Sequence, residues 1–219
     1  MKKTIISFIV FTAIILNSNA QVFIGGDFST QLSGGKTKSG SNSVDQPSTA
    51  TFRLSPKVGF FLNDDFAIGA EVLLGISTTN DKATPTETKT TGASWGIAPF
   101  ARYSVAEMGK FSVLLEGTAG ISGTTTKSKT GSSSVDLPST LTIGLGVTPM
   151  LSYNLSNKIN LELGLDFLSF DLSRTTRTTK VSGGDDIKNH STNFGLGVDS
   201  NNVFTNNLGT VTIGFIFKL

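Results

Sequence analysis

The chain contains no cysteine, and it has a single histidine and a single tryptophan among 219 residues. Without cysteine no disulfide can form, and no lipid can be attached at a lipoprotein cysteine. No long segment with 3.6-residue apolar periodicity appears, so a helical architecture is excluded as the organising theme. A basic excess is also missing. Once Lys2 and Lys3 are set aside with the N-terminal segment, sixteen basic residues face sixteen acidic ones, which leaves no electrostatic footprint for nucleic acid.

The first twenty residues differ from the rest. Lys2 and Lys3 make a basic start, residues 5–16 are apolar, and Ser18-Asn19-Ala20 is a small-residue end. This is the pattern of a secretory signal peptide over residues 1–20. Its apolar run is shorter than the roughly 20 residues a spanning helix needs. The remaining 199 residues, 21–219, suit one domain.

What fills that domain is alternation. Residues 52–76 read as two strands joined by a turn at Asn63-Asp64-Asp65. Val58 and Phe60 share one face of the first strand, and Ile68, Val72 and Leu74 share one face of the second. Arg53, Lys57 and Glu71 lie on the opposite faces. The same period of two predicts strands over 22–32, 94–105, 110–122, 141–153, 159–170 and 210–219. Their apolar faces carry Ile97, Val113, Leu115, Leu145, Val147, Leu163, Leu165, Ile213 and Phe215. Their polar faces carry Asp27, Arg102, Glu116, Glu162, Asp166 and Lys218.

Eight strands are therefore predicted, and no Asp, Glu, Lys or Arg stands on their apolar faces. Connections alternate between short turns and long polar segments at 33–48, 79–91, 123–139 and 173–209. Short turns at one end and long loops at the other are the pattern of a transmembrane β-barrel, with the apolar face toward lipid. The fold class expected is all-β: an eight-stranded antiparallel up-and-down barrel with four long extracellular loops and short periplasmic turns. Eight strands give a lumen about wide enough for side chains to fill, so the mixed charges predict a polar, plugged interior held by a salt-bridge network.

Residues 36–49 (KTKSGSNSVDQPST) match 127–140 (KSKTGSSSVDLPST) at 10 of 14 positions, offset by 91. The offset spans four strands, so duplication of a four-strand unit accounts for it and supports the count of eight. Pro56, Pro99 and Pro149 fall inside strands two, four and six. Proline cannot donate to a ladder, and local bulges are expected there. Residues 192–198 alternate but are too short to span, and are placed in the last long loop as a ribbon continuing the wall.

The segments SPKVGFFLNDDFAIGAEV and APFARYSV, with the C-terminal TVTIGFIFKL, resemble the small outer-membrane β-barrel proteins of the OmpA/OmpX type. The resemblance implies an outer-membrane location and assembly through a C-terminal strand signal, here Phe215, Phe217 and Leu219, where Leu219 replaces the usual terminal aromatic. No peptidoglycan-binding domain follows Leu219, so the tethering role of longer relatives is not implied.

Candidate sites for chemistry are sparse. His190 could serve as the base of a lipid-modifying barrel enzyme, but the sequence places no nucleophile beside it. Asp185 and Asp186 fall short of the oxygen set of a calcium loop, and Asn189-His190-Ser191 has sequon form. No catalytic, metal or cofactor site is expected. Trp95, Tyr103 and Tyr153 are candidates for aromatic girdles. The expected partners are outer-membrane lipids, the barrel assembly machinery and an extracellular partner met through the loops, with the protein a monomer. A non-enzymatic structural or surface-interaction role is the first reading. A small ion-conducting channel is the alternative, and a lipid-modifying enzyme or a soluble lipocalin-like carrier comes after it.

Overall fold

The computed structural model describes residues 21–82, 86–165, 168–181, 183–196 and 211–219, the side chains of 211 and 212 excepted. The segment expected to be a signal peptide, 1–20, and Asp166 lie outside the described residues. Ten strands follow one another: β1 (Gln21–Ser39), β2 (Asn42–Phe61), β3 (Phe66–Asp81), β4 (Thr88–Met108), β5 (Phe111–Thr130), β6 (Ser133–Ser156), β7 (Ile159–Leu165), β8 (Phe170–Thr179), β9 (Ile187–Leu196) and β10 (Val211–Lys218).

Eight of them close a ring. Neighbours from β1 to β7 pair antiparallel in sequence order, β10 pairs with β7, and β10 returns to β1 from Phe23↔Lys218 to Phe28↔Ile213. Closure removes the exposed edges an open sheet would carry. The remaining two strands extend the wall upward. β8 continues the line of β7 against the upper half of β6, from Val147↔Phe170 to Ser139↔Thr178, and β9 pairs with β8. The alternating segment expected to form a ribbon is thus within β9, as far as Leu196; residues 197 and 198 lie outside the described residues.

The long loops differ from expectation. Most of residues 33–48 and 123–139 are strand, closed by two-residue turns at Gly40-Ser41 and Gly131-Ser132. Gly40 and Gly131 hold φ of 61° and 57°, the left-handed region that glycine enters without steric cost. These segments are rich in threonine and serine, so they lack the apolar alternation that marks a half-buried strand. β-branched threonine nonetheless favours extended backbone. At the other end the turns are short. Asn63 Oδ1 accepts from the backbone N–H of Asp65 (3.0 Å) and Phe66 (2.8 Å), the side chain mimicking a backbone turn.

The bulges are not where they were expected. The ladders keep register through Pro56, Pro99 and Pro149. Each of these prolines sits where one of its two ladders is interrupted. β2 and β3 pair at Leu54 and again at Lys57, β4 and β5 at Ile97 and again at Phe100, and β6 passes from β8 at Val147 to β7 at Met150. The missing N–H is placed where no partner strand asks for it. Register shifts occur instead between Ser33 and Gly35, opposite the Pro47-Ser48 pair, between Thr124 and Thr126, opposite Pro138-Ser139, and near the short turns between Ser104 and Ala106 and between Asn154 and Ser156. Pro47 and Pro138 are equivalent positions of the repeated segment, and both copies carry the bulge.

Candidate functional site in the barrel interior

Alternation along each strand sends one set of side chains out of the ring and the other into it. Val58, Val72, Leu74, Ile97, Leu115, Leu145, Val147, Ile213 and Phe215 are exposed on the outside. Phe60, Ile68, Val113, Leu163 and Leu165 share that face and are half-buried by their neighbours. Lys57, Arg102, Glu116 and Glu162 point inward and are buried, Arg102 and Glu162 at 3% relative exposure.

Inside, the charges form one connected layer. Lys57 Nζ lies 3.2 Å from Asp27, 3.5 Å from Glu71 and 3.6 Å from Glu116. Arg102 donates from Nε (3.0 Å) and Nη2 (2.5 Å) to one oxygen of Glu116, and from Nη1 to Glu162 at 2.6 Å. Glu116 joins the two halves. The guanidinium fork reaches two carboxylates from different strands at once, which a lysine could not do with the same geometry. The layer ties β1, β2, β3, β4, β5 and β7 across the lumen. Arg53 lines the space above it without belonging to it, and Lys218 stands over the Phe61 ring at 5.3 Å instead.

Against the charges packs an aromatic shelf that the sequence reading did not single out. Phe23, Ala67, Phe100 and Ile216 are buried together, with Phe61 packed against them. Arg102 is 5.8 Å from the Phe23 ring centre and 5.6 Å from that of Phe100, and Lys57 is 5.8 Å from Phe100. The faces of these rings attract the cations while their area excludes water. The interior expected to be a polar plug therefore also holds a buried apolar cluster, with polar groups on both sides of it. The signal was available: Phe23 and Phe100 fall on the inward parity of their strands, beside small residues that leave room for a ring. Gly59 and Gly69 supply that room, because a Cβ on either would overlap Phe23 or Phe100.

Cavities lie on both sides of the layer. One of about 280 Å³ lies above, lined by Asp27, Arg53, Lys57, Glu71 and Glu116 among others. One of about 70 Å³ lies at the short-turn end, bordered by Arg102, Glu162, Ser104, Ser152 and Asn160. They share no lining residue. Among the described residues Ser104 Oγ, Ser152 Oγ and Asn160 Oδ1 have no hydrogen-bond partner, and the lower cavity is polar and roomy enough for water to satisfy them.

His190 lies on the outer side of the β8–β9 hairpin, with Nδ1 3.0 Å from Thr176 Oγ1 across the strands. A hydroxyl therefore does stand beside the imidazole, in an exposed cross-strand pair. Asp185 and Asp186 are exposed between β8 and β9. Among the described residues no three His, Cys, Asp or Glu side chains gather as a metal-holding group.

Comparison with known proteins places this barrel. Among solved structures, Neisserial surface protein A aligns at 18% identity over 90% of this chain and 97% of its own, with a TM-score of 0.39. The attachment invasion locus protein Ail of Yersinia pestis aligns at 13% identity over 92% and 99%, with a TM-score of 0.42. A major outer membrane protein from Thermus thermophilus aligns at 12% identity over 91% and 99%, with a TM-score of 0.43. No curated protein matches the chain. The family described as the outer membrane protein beta-barrel domain matches residues 7–199, most of the sequence. The chain belongs to that family, and it is a protein of the bacterial outer membrane.

Proposed function

We propose that the protein is a non-enzymatic structural barrel that presents its long hairpins at the cell surface and conducts nothing through its interior. The observation that carries this reading is the ion-paired layer. It crosses the lumen from β1 to β7, rests on an aromatic shelf, and separates two cavities that share no lining residue. Loops held on a rigid scaffold are where binding residues usually sit, and the hairpins here are long extensions of the wall. The outward apolar residues meet lipid. Trp95 and Tyr103 mark its edges, both half-exposed on the outer face of β4 and eight residues, roughly 27 Å, apart along the strand. Phe215 and Phe217 on β10, followed by Leu219, serve as the strand signal for assembly. The ring closes within one chain, which supports a monomer.

A small channel is the alternative, and the polar cavities on both sides of the layer favour it. Planar-bilayer recording of the purified, folded protein separates the two. The structural reading expects no discrete conductance steps from the wild type. Regular unitary steps would overturn it in favour of the channel.

A further inference from the structure

The cavity at the short-turn end holds chemistry that the ion-paired layer does not use. Ser104 on β4, Ser152 on β6 and Asn160 on β7 all have inward parity, at 9%, 3% and 8% relative exposure. Ser104 Oγ, Ser152 Oγ and Asn160 Oδ1 open onto one space of about 70 Å³, and among the described residues none of the three has a hydrogen-bond partner. Glu162 borders the same space and stands opposite Ser152 in the β6–β7 ladder. Arg102 engages Glu162 at Oε1, which leaves Oε2 for the cavity. Buried oxygens without a partner cost free energy, so a polar occupant is called for. Water satisfies the oxygens, but it does not offset the charge around them.

That charge is negative on both boundaries of the cavity. In the layer, the four carboxylates of Asp27, Glu71, Glu116 and Glu162 are paired with the two cations Lys57 and Arg102. Arg53 stands on the far side, in the upper cavity. At the mouth, Asp64, Asp65 and Glu107 face the one ammonium of Lys218. Ser104 fixes this mouth as well, because its backbone N–H donates to the Asp65 carbonyl at 2.7 Å. A cleft lined by one sign of charge concentrates ions of the other. An anion drawn toward Arg102 would meet these carboxylates first, whereas a cation is attracted from the mouth to the floor.

We propose that this cavity is a binding site for a partly dehydrated monovalent cation of the alkali class, held by Ser104 Oγ, Ser152 Oγ, Asn160 Oδ1 and Glu162 Oε2. Hydroxyl and amide oxygens stand in for part of the ion's hydration shell, and water completes it. The set carries one formal negative charge, which one positive charge balances. A divalent ion of the calcium type takes about six to eight oxygens, several of them from carboxylates, and this set does not supply them. The ion ties β4 to β6 and β7 one level below the Arg102 fork, and it offsets the acidic excess of the layer. The inference goes beyond the structural reading and does not depend on it: an ion can be held here in a closed or a conducting lumen, and bilayer recording decides between those separately.

Sodium is the probe. The full-length protein is folded in non-ionic detergent micelles, and the excess relaxation of the sodium NMR signal is read at constant ionic strength against choline. Wild type is expected to show a saturable excess. So is Ser55→Ala, which removes a buried hydroxyl that lines the upper cavity on the other side of the layer. Ser152→Ala and Asn160→Leu, read separately, are each expected to bind about tenfold more weakly, the effect of losing one polar contact to a charged group. The midpoint for thermal conversion of folded to unfolded band is the second readout. With sodium at ten times its dissociation constant, the wild-type midpoint should lie about 3–5 °C above that in choline, and the Ser152→Ala midpoint should barely move. A sodium signal equal in wild type, Ser152→Ala and Asn160→Leu would overturn the proposal and leave only a diffuse counter-ion. A wild-type midpoint that follows pH but not the choice of cation would also overturn it, in favour of a proton on Glu162 and ordered water. Should neither variant fold, the wild-type comparison of sodium with choline still decides.

Discussion

Arg102 carries more of the interior than any other side chain. It holds Glu116 and Glu162 together and lies over two rings. Removing one partner of a buried ion pair strands the others, at a cost of about 3 kcal/mol or more. Arg102→Ala is accordingly expected to lower the temperature at which the folded form converts to the unfolded band in detergent. Arg53→Ala, which takes away a side chain outside the layer, should move it little. Similar shifts for both would contradict the role given to the layer. Gly59 offers a second test at this scale. A methyl group there overlaps the Phe23 ring and crowds the Ile68 carbonyl, so Gly59→Ala should destabilise by about 1–3 kcal/mol through overpacking. An unchanged urea midpoint would show that the shelf has slack. The inward parity of Lys57, Glu71, Arg102, Glu116 and Glu162 was legible from the alternation. Their pairing was not, because Arg102 and Glu162 are sixty residues apart and meet only once the ring closes. Phe23 and Phe100 were missed for another reason: a face read as polar hid two rings among its small residues.

Strands announce themselves in sequence only where their two faces meet unlike surroundings. That is why the lower halves of the strands could be read, and the upper halves of β1, β2, β5 and β6 could not. Both faces of those upper halves are polar, and extended backbone there is maintained by ladder bonds and threonine pairs such as Thr49–Thr79 (2.9 Å) and Thr88–Thr130 (2.9 Å). The bulges were likewise expected at the wrong prolines. Pro56, Pro99 and Pro149 needed only an interrupted ladder on one side, whereas Pro47 and Pro138 shift the register. The two faces of an element make a paired prediction. Val72→Arg places a charge on the outer face of β3 and should cost roughly 2–4 kcal/mol at mid-bilayer depth. Thr126→Arg adds the same charge on the inward parity of upper β5 and should cost far less. The check is the yield of folded protein in the membrane fraction, where Val72→Arg is expected to fall well below Thr126→Arg. Equal yields would contradict the assignment of faces.

At the scale of the whole molecule, the ring of eight and the two-sided chemistry belong together. Eight strands close a ring whose circumference is set by strand number. That ring is narrow enough for its own side chains to fill. The outer face then has an uncharged apolar belt between the short turns and the polar hairpins that continue the wall. All of it depends on which face looks outward. The absence of cysteine makes this directly measurable, because a single introduced thiol is the only one to carry a label. Nitroxides attached one at a time at Leu74, Leu145 and Ile213, and at Thr118 and Thr148, can be scanned in the folded, lipid-reconstituted protein for collisions with oxygen, which concentrates in hydrocarbon. High oxygen accessibility is predicted at the first three and low accessibility at the last two. The reverse pattern, with Leu74, Leu145 and Ile213 shielded together, would mean that the apolar face encloses a cavity and would contradict the account.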